Sequence, residues 1–245
     1  MTVLKVGYGV VTALLLGSGA VRAGDELIAG DVLSNFRKAS GWSLVTKASA
    51  VPEKPMLETI PHAGKSGGIL SNGSKKNKAD YLFTKKEYGD VSVHLEFMVP
   101  KKSNVGIYLM GRYEIQILDS FGVKKPKFSD LGGVYQRWGK GRPADATGKG
   151  QGFEGTAPMV NAAKAPGEWQ EMDIVFRAPR FDVQGNKTGN ARFISVHVNG
   201  QLVQQNAEVT GPTRSSPLSG EAATGAIVIQ GDHGPVVIRS LTVSP

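Results

Sequence analysis

The chain has 245 residues, a formal net charge of +8, 32 glycines, 13 prolines and no cysteine. Without cysteine there is no disulfide framework, no thiol catalysis and no cysteine-based zinc site, so the fold must rest on a hydrophobic core. The basic pairs Lys75-Lys76, Lys85-Lys86, Lys101-Lys102 and Lys124-Lys125 are scattered and lack interleaved stacking aromatics; they describe a solvated basic surface and no nucleic-acid partner.

Residues 1–23 carry Lys5, an apolar run over 10–16 and a small-residue ending at Val21-Arg22-Ala23. That is the pattern of a secretory signal peptide, and it predicts an exported, periplasmic or secreted protein. The apolar run is too short to span a bilayer and no later one is longer, so no membrane span is expected. Residues 24–245 are expected to form one domain.

Residues 25–36 read as a short helix or lead-in, and 41–45 as a first strand before a Pro/Gly-rich connection over 51–68. Strands follow at 68–71 and 81–84, separated by the polar turn SNGSKKNKAD. Residues 91–99 alternate, with Val91, Val93, Leu95, Phe97 and Val99 on one side. A turn at 100–103 then leads into SNVGIYLMGRYEIQILDSFG, with which 91–99 is expected to pair antiparallel.

That stretch alternates over its whole length. Asn104, Gly106, Tyr108, Met110, Arg112, Glu114 and Gln116 share one side, while Val105, Ile107, Leu109, Tyr113, Ile115 and Ile117 share the other. The polar side suits gripping a polar ligand, although a half-exposed strand with satisfied polar groups has the same pattern. A β-bulge between Gln116 and Asp119 would bring Asp119 onto the face of Glu114.

Residues 120–167 form a long, irregular insertion that carries Tyr135 and Trp138. Strands return at 168–178 and 191–198, and Asn199-Gly200 marks a tight hairpin into 201–205. A polar loop covers 210–224, and 225–230 with 236–243 are expected to be the last pair. Many short strands and no long amphipathic helix predict an all-β sandwich.

Four histidines are present. His62 lies in a Pro/Gly loop, His197 faces solvent, His94 is on the polar side of 91–99, and His233 follows an apolar strand in a Gly-flanked loop. Glu114 and Asp119 could form an acid/base pair of the kind that cleaves glycosides. Arg112 could hold a carbonyl or sugar hydroxyl, or neutralise Glu114 in an ion pair. Tyr135 and Trp138 could stack on a sugar ring or plug their loop onto the sandwich. A Glu/Asp/His cluster leaves room for a divalent metal, though no H-x-x-x-H spacing supports one and the sequence requires no cofactor. There is no phosphate-cradling glycine motif and no G-x-S-x-G elbow.

The segments NVGIYLMGRYEIQILDSFG, GGVYQRW, PGEWQEMDIVF, VHVNGQLV and GAIVIQGDHGPVVIRSLTV follow in an order that resembles the 3-keto-disaccharide hydrolase domain family, over about residues 42–243. The resemblance implies a two-sheet jelly-roll sandwich of the concanavalin A-like lectin/glucanase type, typical of exported bacterial proteins. It implies a glycoside substrate oxidised at C3, whose ketone acidifies the C2 proton and permits elimination at C1 followed by addition of water. Such chemistry needs a base near C2, a donor to the ketone oxygen and an acid for the leaving oxygen. At matching positions, Glu114, Gln116 and Asp119 lie in the family's E-x-Q-x-x-D segment, and Gln230 and His233 in its Q-x-H-G segment. The resemblance thus casts His233 or Glu114 as base, Asp119 as acid or metal ligand, and Arg112 as the ketone-side donor. Asn104, Tyr108, Arg112, Gln116, Tyr135, Trp138 and Gln230 are the expected substrate-binding set.

This chain has Met110-Gly111-Arg112 where the family more often carries Arg-Gly, and one more residue within Gln230-Gly231-Asp232-His233. The E-x-D-x-x-E motif of family 16 glucanases is absent, which disfavours unoxidised glucan as substrate. A non-catalytic carbohydrate-binding module would use the same polar face without an acid or base. A structural cell-envelope protein would show no cleft at all. Convergence of Glu114, Asp119 and His233 in one cleft would separate these readings.

Overall fold

The computed structural model describes residues 24–74, 79–139 and 152–245. The expected leader at 1–23, Lys75-Lys76 in the polar turn and the middle of the long insertion lie outside the described residues. In chain order the strands are β1 (Asp25–Glu26), β2 (Phe36–Arg37), β3 (Ser43–Ala50), β4 (Leu57–Pro61), β5 (Ile69–Ser71), β6 (Leu82–Tyr88), β7 (Val91–Met98), β8 (Asn104–Leu109) and β9 (Tyr113–Leu118). The second half adds β10 (Arg137–Trp138), β11 (Gly152–Phe153), β12 (Gln170–Arg177), β13 (Arg180–Phe181), β14 (Lys187–Gly189), β15 (Ala191–Val198), β16 (Gln201–Val209), β17 (Gly225–Ile229) and β18 (Val237–Ser244). Residues 25–36, expected as a short helix or lead-in, are a lead-in: β1, a 3-10 turn at Val32–Asn35 and the start of β2.

Two antiparallel sheets form an all-β sandwich, as expected. The larger runs β16-β15-β12-β7-β18-β5-β3-β4 with β1 beside β18, and the smaller runs β2-β6-β17-β8-β9. Val93, Leu95 and Phe97 of β7 share one core with Val105 and Ile107 of β8 and Ile115 and Ile117 of β9. Tyr113, Phe176 and Phe193 continue it, with successive ring centroids 5.4 and 5.1 Å apart. Burying a side chain of this size contributes about 1.5–3 kcal/mol.

Two expected pairings are corrected. β7 does not pair with β8; it pairs with β12 and β18 in the larger sheet. β17 does not pair with β18 either, but with β6 and β8 in the smaller one. In both cases the chain crosses from sheet to sheet, so the two apolar faces meet across the core. Alternation shows that a strand has a buried face; it does not distinguish a neighbour in the sheet from a partner in the opposite layer.

The long alternating stretch is a hairpin and not one strand. Met110 (φ 55) and Gly111 (φ 64) turn the chain in the left-handed region, and the Arg112 N–H donates to the Leu109 carbonyl (3.0 Å). The register pairs Gly106 with Gln116 and Tyr108 with Glu114. Even-numbered residues therefore oppose even-numbered residues, and the polar side survives the turn as one face. The insertion extends this sheet: the Gln116 N–H donates to the Gly133 carbonyl (2.9 Å) and the Tyr135 N–H to the Glu114 carbonyl (3.0 Å).

Candidate active site

On the polar face of the smaller sheet lies a hollow of about 220 Å³. β8 and β9 supply Asn104, Tyr108, Glu114 and Gln116 to its wall, and the segments leading into β6 and out of β17 supply Tyr81 and Gln230. Tyr135 enters from the insertion, Arg214 and Ser215 from the loop between β16 and β17, and His233 from the loop before β18. Larger hollows lie elsewhere. One of about 690 Å³ is bordered by Trp42 and His62, one of about 660 Å³ by Asp119 and Phe121, and one of about 320 Å³ by Lys86 and Tyr88. None of these joins an imidazole to a buried carboxyl, so the chemistry points to the smaller hollow.

Glu114 is buried, and its carboxyl lies over Gly106 on the neighbouring strand. A Cβ at Gly106 would stand 2.1 Å from the Glu114 Oε1, so only glycine leaves room for the carboxyl there. Gln116 Nε2 donates to Oε1 (2.8 Å). Loss of hydration pushes the Glu114 pKa up to about 8, against the opposing pull of hydrogen bonds from Tyr108 and Gln116. At neutral pH this carboxyl is protonated.

Tyr108 stacks on Tyr81 with centroids 6.1 Å apart. Gln230 Nε2 donates to the Tyr81 hydroxyl (2.9 Å), and the Gln230 N–H donates to the Gly106 carbonyl (2.9 Å). Burial raises the hydroxyl pKa of Tyr81, Tyr108 and Tyr135, so all three stay protonated. The Asn104 Oδ1 is buried without a hydrogen-bond partner, leaving an acceptor in the wall that a ligand hydroxyl could satisfy.

His233 reaches the rim with its Nδ1 2.5 Å from the Asp232 Oδ1. Its loop is clamped by buried Asn72, whose Nδ2 donates to the carbonyls of Gly231 (3.0 Å) and Gly234 (2.8 Å). The Asn72 Oδ1 accepts from the Val236 N–H (2.8 Å). The loop passes so close to β8 that a Cβ at Gly234 would meet the Asn104 backbone nitrogen at 2.6 Å.

Seven of the residues expected from the sequence thus meet in one hollow: Glu114, His233, Asn104, Tyr108, Gln116, Tyr135 and Gln230. Three do not. Asp119 lies past the end of β9, where no bulge turns it inward; its carboxylate accepts from the Lys102 N–H (2.9 Å) and borders the hollow beside Phe121. Arg112 donates to the carbonyls of Gly220 (2.9 Å) and Met110 (2.8 Å), and so holds the loop between β16 and β17 instead of facing the hollow or pairing with Glu114. Trp138 stands outside, half exposed, with the Arg214 guanidinium 4.3 Å above its ring. His94 belongs to the outer face of the larger sheet, bonded through Nδ1 to Asp173 (2.7 Å).

Tyr81, Arg214 and Ser215 were not singled out by sequence: the expected strand at 81–84 is too short to show which side of it is polar, and Arg214 and Ser215 lie in a polar loop with no periodic pattern. Asp232 could have been found from its place beside His233. Among the described residues no group of three or more His, Cys, Asp or Glu side chains gathers to hold a metal ion.

A crystal structure of a candidate glycosyl hydrolase from Parabacteroides distasonis shares the fold, with a TM-score of 0.55 and 21% identity over 98% of this chain and 99% of that one. A second candidate glycosyl hydrolase from that organism gives a TM-score of 0.46 at 20% identity, covering 82% of this chain and 98% of that one. Carbohydrate-binding module CBM66 from Bacillus subtilis gives 0.37 at 8% identity, covering 84% and 97%. The family model of the 3-keto-alpha-glucoside-1,2-lyase-like domain matches residues 27–244, which takes in the whole hollow and, β1 apart, both sheets, and the chain belongs to that family.

Proposed function

We propose that this is an exported enzyme that cleaves 3-keto-glycosides by elimination across C1–C2, followed by addition of water. The observation that carries the reading is the meeting of a buried, protonated Glu114 with the His233–Asp232 pair in one hollow. Family membership supports a carbohydrate substrate, and the leader-like residues 1–23 support export.

An ionised carboxylate only accepts hydrogen bonds, so Asp232 places the imidazole hydrogen on Nδ1 and leaves the Nε2 lone pair free as a base. His233 removes the C2 proton, and the electron pair left at C2 spreads onto the C3 oxygen. Glu114, neutral and desolvated, donates a hydrogen bond to that oxygen where charge develops. The pair then forms the C1–C2 double bond, the C1–O bond breaks, and the imidazolium returns its proton to the leaving oxygen. Water adds across the double bond, hydroxyl to C1 and hydrogen to C2, to give the free 3-keto sugar. Asp119 and Arg112 have no part in this scheme, since neither lines the hollow.

A binding module is the competing reading, favoured by the Glu114 carboxyl being already engaged by Tyr108 and Gln116. Purified protein in D₂O with a 3-keto-disaccharide and its unoxidised parent separates the two. Elimination predicts 3-keto sugar from the oxidised substrate alone, with deuterium at C2 above the background exchange of the free sugar. Saturable binding without release supports the binding module, and release without deuterium identifies direct hydrolysis; either result overturns the proposal.

A further inference from the structure

We infer that Arg214 is an anion-binding position at the mouth of the hollow, selecting glycosides whose leaving group carries a carboxylate. The inference rests on the glycoside-cleaving reading for the orientation of the ligand. A hollow of about 220 Å³ is below the roughly 300–1,000 Å³ of pockets that enclose a whole ligand. It takes the oxidised sugar, and the leaving group must pass out over the rim.

Arg214 marks that rim. It lines the hollow, yet its guanidinium stacks on Trp138, which is 48% exposed and does not line it. The guanidinium therefore stands between the buried floor and solvent, with its ring-facing side covered and its N–H edges without a hydrogen-bond partner among the described residues. Nearby, Arg137 pairs with Glu154 (3.6 Å) and Lys187 with Glu221 (2.7 Å), while the Arg112 guanidinium is held by carbonyls. Arg214 has no carboxylate partner among the described residues. Among the residues that line the hollow, Glu114 is neutral at pH 7 and Arg214 is the one with a permanent charge.

The position is also preorganised. The Arg214 N–H donates to the Gln136 carbonyl (2.7 Å), and the next residue, Ser215, holds a left-handed φ of 59°. A non-glycine residue there carries backbone strain, offset by the contacts that hold the loop. A planar fork of donors fixed in this way matches a carboxylate with two parallel hydrogen bonds. A chain of net charge +8 draws anions toward it.

The test uses aryl 3-keto-glucosides with a meta-carboxylate or the isosteric meta-carboxamide, and their unoxidised parents as non-reacting ligands. The expected result is that Arg214→Gln lowers the carboxylate-to-carboxamide ratio of kcat/KM by about tenfold, whatever loss is common to both. Trp138→Ala should lower the ratio by several-fold, and high salt should lower it in the wild-type protein, which keeps the test decisive if a variant misfolds. A ratio unchanged in Arg214→Gln and insensitive to salt overturns the proposal while leaving the glycosidase reading intact. If no oxidised glycoside is cleaved, equilibrium binding of the unoxidised pair decides: preference for the carboxylate, lost in Arg214→Gln, upholds the anion site alone, and equal affinities reject it.

Discussion

Two histidine–aspartate pairs stand on opposite faces of this sandwich. On the outer face of the larger sheet, His94 Nδ1 lies 2.7 Å from Asp173 across β7 and β12, with the Glu96 carboxylate 3.6 Å from Nε2. Arg239 donates to Glu96 in turn, and His94 lines neither the candidate site nor the larger hollows named above. On the smaller sheet, His233 has one aspartate, no hydrogen-bond partner at Nε2 among the described residues, and a hollow with a buried carboxyl beside it. The pair by itself is therefore no signature of catalysis. What differs is the space in front of the second ring nitrogen, and whether the surrounding groups are desolvated.

The sharpest break between the two is functional. His233→Ala should lower kcat/KM on a 3-keto-disaccharide by about 10²–10⁴, the usual contribution of a positioned proton carrier, whereas His94→Ala should leave it within about twofold. Equal losses in the two variants, in steady-state assays, would erase the distinction.

Glu114 gives the next largest effect. Its folded-state pKa of about 8 lies above the ordinary 4.5, so the folded protein holds more protons than the unfolded chain between those values. Stability is then greatest below about pH 4.5 with respect to this group, and is lost as pH rises through about 8, by roughly 3–5 kcal/mol. Urea melts across that range should show the slope in the wild-type protein and its absence in Glu114→Gln. If neutral Glu114 is the donor, kcat/KM of the wild type should also fall above about pH 8.

Gly106→Ala probes the floor of the hollow directly. The added Cβ would stand 2.1 Å from the Glu114 Oε1, so the carboxyl must leave its place over β8, at a cost of about 1–3 kcal/mol. Denaturation midpoints should drop, and turnover should fall more than a comparable Gly→Ala change outside the hollow would produce.

His94 gives the smallest effect. Burial works against its charge, but bonding to Asp173 and attraction to Asp173 and Glu96 outweigh that and raise its pKa above 6.5. Its stabilisation is present below pH 6.5 and is lost as pH rises through the higher folded value. For so exposed a pair this is under about 1 kcal/mol. Asp173→Asn should remove it, and a larger change would mean that the outer face does more than scatter charge.

The contents of the hollow were legible to an uneven degree. Asn104, Tyr108, Glu114 and Gln116 could be read from alternation, since side chains two apart on a strand must share a face, and the hairpin register kept that face whole. Asp119 could not, because it lies beyond the last paired residue and follows the turn instead of the pleat. Arg112 looked like a ligand donor for the same local reason, yet nearby carbonyls of the loop between β16 and β17 take its donors.

Local sequence was thus enough to determine an all-β chain, the apolar side of each long strand, and a polar face centred on Glu114, because the period of two and the turn preferences of glycine act over a few residues. Only the tertiary structure decided that β7 and β17 send their successors into the opposite sheet, and that Tyr81, Arg214 and His233 arrive beside Glu114 from loops far apart in the chain. The physical reason is that both layers are apolar on their inner faces, so the pattern of a strand is satisfied equally by a hydrogen-bonded neighbour and by a partner across the core. The choice belongs to the packing of the whole chain.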